Sequence, residues 1–138
     1  MRPRRDAAAR PGSACIADTS LFIALEAQRV LAGTPPDRVA VSVVTIGELR
    51  LGVLAAADGP TRARRLETLS RAEKLEPLPI DARVAHAWAV LRLALRESGR
   101  RMPLNDSWIA ATAIAHDLHV VAQDTDYDGV PGLEVIRV

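Results

Sequence analysis

Residues 14–25 read Ala14-Cys-Ile-Ala-Asp-Thr-Ser-Leu-Phe-Ile-Ala-Leu25, two apolar runs separated by an aspartate and two hydroxyl residues. The first run is short and continuously apolar, which predicts a buried strand that ends at Asp18. Thr19 or Ser20 suits the N-cap of a helix that begins at Leu21. A strand followed directly by a helix is the unit from which parallel sheets with helices on both faces are built.

The same alternation continues along the chain. Four more strands are predicted at 39–44, 78–80, 120–122 and 133–136, and helices at 45–54, about 61–75, 82–98 and about 107–116. This order predicts an α/β fold, a three-layer α/β/α arrangement around a central parallel sheet of about five strands. We find no internal repeat, and we expect one domain over residues 14–138 behind a flexible basic leader at 1–13.

Composition excludes several classes of protein. With 49% apolar and 25% charged residues, the 138-residue chain has the balance of a globular domain rather than a disordered one. Cys15 is the only cysteine, so an intrachain disulfide and a thiolate zinc cluster are excluded. Aromatic residues make up only 3%, too few for a sheet that stacks nucleic-acid bases. Without an apolar run of membrane-spanning length or a secretory signal, a cytoplasmic location is expected.

The net charge of +1 conceals a basic N-terminus, where residues 1–10 carry four arginines and one acid. Such a segment could contact phosphate or an anionic surface. It is equally explained as a leader without structure, or as the product of a start codon placed too far upstream.

Four acidic residues fall where the predicted strands end. Asp18 and Asp124 follow the first and fourth strands, Glu48 lies in the first turn after the second strand, and Asp106 begins the helix before the fourth. Ligands of parallel α/β sheets bind beyond the carboxyl ends of the strands. Because four carboxylates in one cleft repel each other, they favour a hard divalent cation, Mg²⁺ or Mn²⁺.

Each acid also has a structural alternative. Asp18 and Asp106 could cap helices, and Thr45-x-x-Glu48 spells a capping box. The segment Asp124-x-Asp126-x-Asp128-Gly129 imitates a calcium loop, but Val135 stands where an EF-hand requires glutamate, and we reject that interpretation. A solvated turn remains a good explanation for Asp128.

Four segments together resemble the acidic motifs of PIN-domain ribonucleases, and most closely the VapC-type toxins of bacterial type II toxin–antitoxin pairs. They are Cys15-Ile-Ala-Asp-Thr-Ser-Leu-Phe-Ile-Ala-Leu25, Val44-Thr-Ile-Gly-Glu-Leu49, Leu104-Asn-Asp-Ser-Trp-Ile-Ala-Ala-Thr-Ala113 and Val121-Ala-Gln-Asp-Thr-Asp-Tyr127. The resemblance covers about residues 14–138. It implies a PIN-like nuclease domain that hydrolyses RNA phosphodiester bonds.

The resemblance also implies residue roles. Asp18, Glu48, Asp106 and Asp124 would be the catalytic acids, and Asp18, Asp106, Asp124 and the auxiliary Asp126 would hold Mg²⁺ or Mn²⁺. Thr19 or Ser20 would orient Asp18, and Asn105 would support the third acid. The sequence departs from the family pattern at Ala122, where many relatives have a hydroxyl residue, and at Tyr127, where phenylalanine is usual and nearly isosteric.

The resemblance further implies a homodimer and a small VapB-like antitoxin that blocks the acidic cleft. An apolar groove formed by Leu21, Leu25, Leu49 and Val53 could accept it, although the same residues could equally be core.

Arg50, Arg100 and Arg101 could hold flanking phosphates or could simply be solvated, and the three histidines are expected to be structural. The alternatives from other classes are a receiver-like domain, which would need a lysine after the last strand where this chain has only Lys74, and a catalytically silent PIN-like interaction module.

Overall fold

The computed structural model describes residues 14–138, and the predicted leader lies outside the described residues. Within them, three strands and five helices follow each other along the chain. They are β1 (Cys15–Ala17), α1 (Thr19–Glu26), α2 (Val43–Leu54), α3 (Gly59–Glu73), α4 (Ala82–Glu97), α5 (Leu104–His116), β2 (His119–Ala122) and β3 (Val135–Arg137). The architecture is the predicted α/β fold with a parallel sheet.

The sheet has three parallel strands rather than about five among residues 14–138. Strand β2 lies between β1 and β3, with Ile16 opposite Val120 and Val121 opposite Ile136. The predicted second and third strands contribute only single bridges, Ala40 beside Ile16 and Leu78 beside Ser42. They continue the sheet past β1 but are too short to form ladders, because the chain turns into a helix directly after Ser42.

Four helices begin earlier than predicted, among them α3, which begins at Gly59 rather than at about Thr61. Asp18 itself is the N-cap of α1, and its side chain accepts a hydrogen bond from the amide of Ser20. Helix α2 begins at Val43 with Ser42 as N-cap, so two valines assigned to a strand are helical. Helix α5 begins at Leu104 after Pro103, which places Asp106 in its first turn. By contrast, the cap of α4 at Asp81 and its end before Gly99 agree with the prediction.

Alternate residues of the strands face two separate hydrophobic clusters. Cys15, Ala17 and Val121 pack with α1, α2 and α3, whereas Ile16 and Val120 pack with α4 and α5. This alternation is what a sheet covered on both faces requires, and it produces the three-layer arrangement. None of the helices in the part of the chain that the structure describes is long and apolar enough to span a bilayer.

The apolar groove predicted between the first helices is mostly core. Leu21, Leu49 and Val53 are buried, and only Leu25 is exposed. Of the two alternatives for these residues, the structure therefore supports core packing for three of the four.

Candidate metal-binding active site

Asp18 lies at the carboxyl end of β1, where it is 4% exposed. Both of its carboxylate oxygens accept hydrogen bonds: Oδ2 from the amide of Ser20 at 3.1 Å and Oδ1 from the hydroxyl of Tyr127 at 2.5 Å. The capping role considered from the sequence is therefore real for Asp18. It does not exclude chemistry, because each carboxylate oxygen has a second lone pair.

Tyr127 reaches Asp18 from the turn that follows β2. Its ring is fully buried in the cluster formed with α4 and α5. Burial and the negative charges of Asp18, Asp106 and Asp124 raise the pKa of the Tyr127 hydroxyl far above its usual range. The phenol therefore stays protonated and acts as a donor to Asp18.

Asp106 is the half-buried acid at the centre of the cluster. Desolvation is the largest cause that raises its pKa from 3.8 to about 7, followed by the charge of Asp18, a side-chain hydrogen bond with Asp126, and the charges of Asp126 and Asp124. The carboxylates of the three other residues thus act on Asp106 at once, which is the repulsion expected of acids in one cleft.

Asp124 and Asp126 belong to the turn directly after β2. Oδ1 of Asp124 accepts a hydrogen bond from the amide of Asp126 at 3.0 Å, an Asx turn that the short aspartate side chain makes with its own backbone. The half-buried guanidinium of Arg100 donates to the carbonyl of Asp126 at 2.9 Å and holds this turn from the loop between α4 and α5.

Glu48 is connected to this group by hydroxyl side chains. Thr19, next to Asp18, donates to Oε1 of Glu48 at 2.8 Å and lies 2.9 Å from the hydroxyl of the buried Thr45. Because Thr19 has one proton and gives it to Glu48, Thr45 must donate to Thr19. The capping-box interpretation of Thr45 and Glu48 is wrong, since the cap is Ser42 and both residues lie inside α2.

The structure thus brings Asp18, Asp124 and Asp126 within electrostatic reach of Asp106, and Thr19 connects Glu48 to the neighbourhood of Asp18. Over residues 14–138, however, no three acidic, histidine or cysteine side chains converge as a ready-made set of metal ligands. Both oxygens of Asp18 and Oδ1 of Asp124 are instead engaged with amide and phenol donors.

The chemistry of the site nevertheless fits a hard divalent cation. All candidate ligands are oxygens, as Mg²⁺ and Mn²⁺ prefer. The buried Ser20 hydroxyl, two residues from Asp18, has no hydrogen-bond partner, which marks a polar position left unsatisfied at this edge. A cation would relieve the repulsion that, together with desolvation, raises the pKa of Asp106.

Other residues singled out from the sequence lie apart from the acids or have other partners. Asp128 points to β3, where it forms a 2.5 Å salt bridge with Arg137. Arg50 pairs with Glu73 at 3.3 Å, and Arg101 and Asn105 are exposed. His116 lies 3.1 Å from Arg83, so it is used in packing α4 against α5.

Two residues of the site were not identified from the sequence. The sequence suggested that Thr45 caps a helix. Its hydroxyl instead begins a series of hydrogen bonds that passes through Thr19 and ends at Glu48. Tyr127 was interpreted only as a replacement for phenylalanine. A buried tyrosine usually finds a hydrogen-bond partner, and this rule is the signal that could have identified the role of its hydroxyl.

Comparison with known proteins identifies the family. The model of the PIN domain family matches residues 15–133. Ribonuclease VapC4 of Mycobacterium tuberculosis is 52% identical over 128 residues, 89% of this chain and 95% of that protein. Ribonuclease VapC5 of the same organism is 51% identical over 130 residues, 91% of this chain and 96% of that protein.

A crystal structure shows the same similarity. It is that of VapBC-5 from Mycobacterium tuberculosis, a member of the VapBC family of toxin-antitoxin systems. Its matching chain is 50% identical, with a TM-score of 0.79 over 91% of this chain and 99% of that one.

Proposed function

Because this chain belongs to the PIN domain family and resembles its VapC-type members over most of its length, we propose that it is an endoribonuclease toxin. It would hydrolyse RNA phosphodiester bonds with Mg²⁺ or Mn²⁺ as cofactor. The observation that carries the proposal is the placement of four aspartates at one edge of the sheet: Asp18 follows β1, Asp124 and Asp126 follow β2, and Asp106 lies in the first turn of α5. Burial, and then the charges of the three other aspartates, raise the pKa of Asp106 there.

Asp18, Asp106, Asp124 and Asp126 are the residues that would hold the cation. When bound, a divalent ion supplies an activated water and positive charge against the phosphate oxygens. The ion-free cluster would repel RNA, so cation binding has to precede substrate binding.

The protein's own groups prepare the site for this chemistry. Tyr127 and the amide of Ser20 hold Asp18, and the Asx turn holds Asp124. Glu48 lies outside the group of acids that raise the Asp106 pKa, and Thr19 fixes one of its oxygens. We assign Glu48 to orienting the attacking water and accepting its proton, the role that suits a carboxylate beside a cation site.

A VapB-like antitoxin is the proposed protein partner, by analogy with the VapBC-5 complex. Glu48 borders a groove of about 220 Å³ that is lined further by Ile23, Glu26, Leu49, Gly52 and Arg65. An antitoxin segment in this groove would lie against the catalytic glutamate and exclude RNA. A homodimer remains part of the proposal on the family resemblance.

Cleavage of RNA by purified protein tests the function. Wild type should cut single-stranded RNA when Mn²⁺ is added and should stop when it is chelated. Asp18→Asn and Asp106→Asn should each lose cleavage while keeping a cooperative thermal transition.

Asp128→Asn is the matched control, since this acid of the same turn pairs with Arg137 and should be dispensable. Equal cleavage by wild type and both site variants would indicate a contaminating nuclease. No cleavage by folded wild type on a broad set of RNAs would favour the silent interaction module.

A further inference from the structure

We propose that Tyr127 is a positioning residue for Asp18: its hydroxyl fixes the orientation in which that carboxylate meets the divalent cation. This inference rests on the proposed function. It assigns a role to the one atom by which tyrosine differs from the phenylalanine usual at this position.

The contact between the two residues is buried and distant in sequence. Tyr127 is fully buried and Asp18 is 4% exposed, and the phenol oxygen lies 2.5 Å from Oδ1 of Asp18. The bond joins the ends of the neighbouring strands β1 and β2 across 109 positions of sequence. It therefore ties the first acid directly to the turn that carries Asp124 and Asp126.

A carboxylate needs such a restraint because the terminal torsion of aspartate is soft. Rotation about this bond has broad, roughly two-fold preferences, so a single hydrogen bond leaves the plane of the carboxylate free to turn. In this structure Ser20 holds one oxygen and Tyr127 the other. With both oxygens held, the plane of the carboxylate is fixed, and each oxygen keeps a lone pair for the cation.

Partners of this kind act on metal affinity. Groups that hydrogen-bond to metal-binding side chains orient them, and their removal costs about tenfold to a hundredfold in affinity or activity. A tyrosine that only satisfied its own hydroxyl would contribute to stability and leave cation binding unchanged. The two roles therefore differ in a quantity that can be measured without RNA.

The decisive experiment measures Mn²⁺ binding to the full chain from the electron paramagnetic resonance signal of the free ion. Tyr127→Phe keeps the ring in the core and removes the hydroxyl. Thr112→Val is the matched control, because it removes a fully buried hydroxyl that donates to the carbonyl of Trp108 at 2.8 Å. Asp18→Asn is measured alone and in combination with Tyr127→Phe.

We expect Tyr127→Phe to weaken Mn²⁺ binding about tenfold or more and Thr112→Val to leave it unchanged. In the Asp18→Asn background, Tyr127→Phe should have no additional effect. Wild-type affinity in folded Tyr127→Phe would overturn the inference and leave the proposed function standing. Absent Mn²⁺ binding by wild type, or full binding by Asp18→Asn, would overturn the assignment of Asp18 as a ligand and the inference with it.

A second measurement needs no substitution of Tyr127. Tyr127 is the only tyrosine in the chain, so the tyrosine bands of the Raman spectrum report on this hydroxyl alone. In wild type, the intensity ratio of the tyrosine bands should be that of a phenol that donates a strong hydrogen bond to a carboxylate. Asp18→Asn should shift this ratio. A ratio typical of a water-exposed or accepting phenol would refute the contact.

Discussion

Replacing Asp106 by asparagine should stabilise the ion-free protein at pH 8 while abolishing its proposed activity. Asparagine has nearly the same shape, carries no charge, and can donate a hydrogen bond as the protonated acid would. It therefore removes the repulsion from Asp18, Asp124 and Asp126 without opening a cavity.

The expected size follows from the shift of the Asp106 pKa. Folding raises this pKa from 3.8 to about 7, and each unit corresponds to about 1.4 kcal/mol. The upper limit is therefore about 4 kcal/mol, and screening of this half-buried group by water reduces our expectation to about 1–2 kcal/mol. For a domain of this size, that is roughly 3–6 °C in melting temperature.

The sign of the pH dependence follows from linkage. The folded state binds the Asp106 proton more tightly than the unfolded state does. The contribution of this carboxyl to the free energy of unfolding is therefore fully present below about pH 4. It is lost as the pH rises toward 7 and stays lost above that. Asp106→Asn has no carboxyl that titrates at this position. The difference in free energy of unfolding between the variant and wild type should therefore grow from nearly zero at pH 4 to its full value at pH 8.

Thermal unfolding of both proteins in a chelator, at several pH values between 4 and 8, measures this difference. Asp128→Asn controls for the loss of an acid in the same region. Adding Mg²⁺ should stabilise wild type more than Asp106→Asn, because ligand binding to the folded state raises stability by mass action. A variant that is no more stable than wild type at pH 8, or an advantage that is the same at every pH, would refute the reasoning.

Further predictions concern the groups that support the site. Ser42→Ala should lower the free energy of unfolding by about 1 kcal/mol, since it removes the N-cap of α2, and urea denaturation beside the exposed control Ser70→Ala measures this. Thr45→Val should slow RNA cleavage about tenfold or more by removing the donor to Thr19, and an unchanged rate in the folded variant would argue against the hydroxyl chain. Arg100→Met should weaken Mn²⁺ binding by roughly tenfold because it releases the carbonyl of Asp126, whereas the exposed neighbour Arg101→Met should bind like wild type.

Prediction from sequence was most accurate where local chemistry decides the structure. The apolar run before Asp18 gives β1, and the stripe between Asp81 and Gly99 gives α4. It was least accurate at 39–44, where valines favour a strand by propensity. There the Ser42 side chain accepts from the amide of Val44, and this cap starts α2 two residues earlier than expected. The wrong boundary also placed Glu48 in the first turn of the helix rather than in its interior.

The nature of the site was accessible from sequence because parallel strands bring their carboxyl ends to one edge. This rule predicts that Asp18 and Asp124 lie near each other, and the charges acting on Asp106 agree with it. The contacts that support the site could not be predicted from the sequence. The bonds from Tyr127 to Asp18 and from Thr19 to Glu48 join residues 109 and 29 positions apart, and no local pattern encodes them.

The α/β class with its parallel sheet and the two-sided burial of that sheet were determined by the sequence alone, through the spacing of apolar residues. The placement of acids at one edge of the sheet followed from the direction of parallel strands. Only the tertiary structure decided which donors hold Asp18, Asp124 and Glu48, and that the pKa of Asp106 is raised. Those outcomes depend on how far each carboxyl is removed from water and on which charges surround it, and both quantities exist only once the chain has packed.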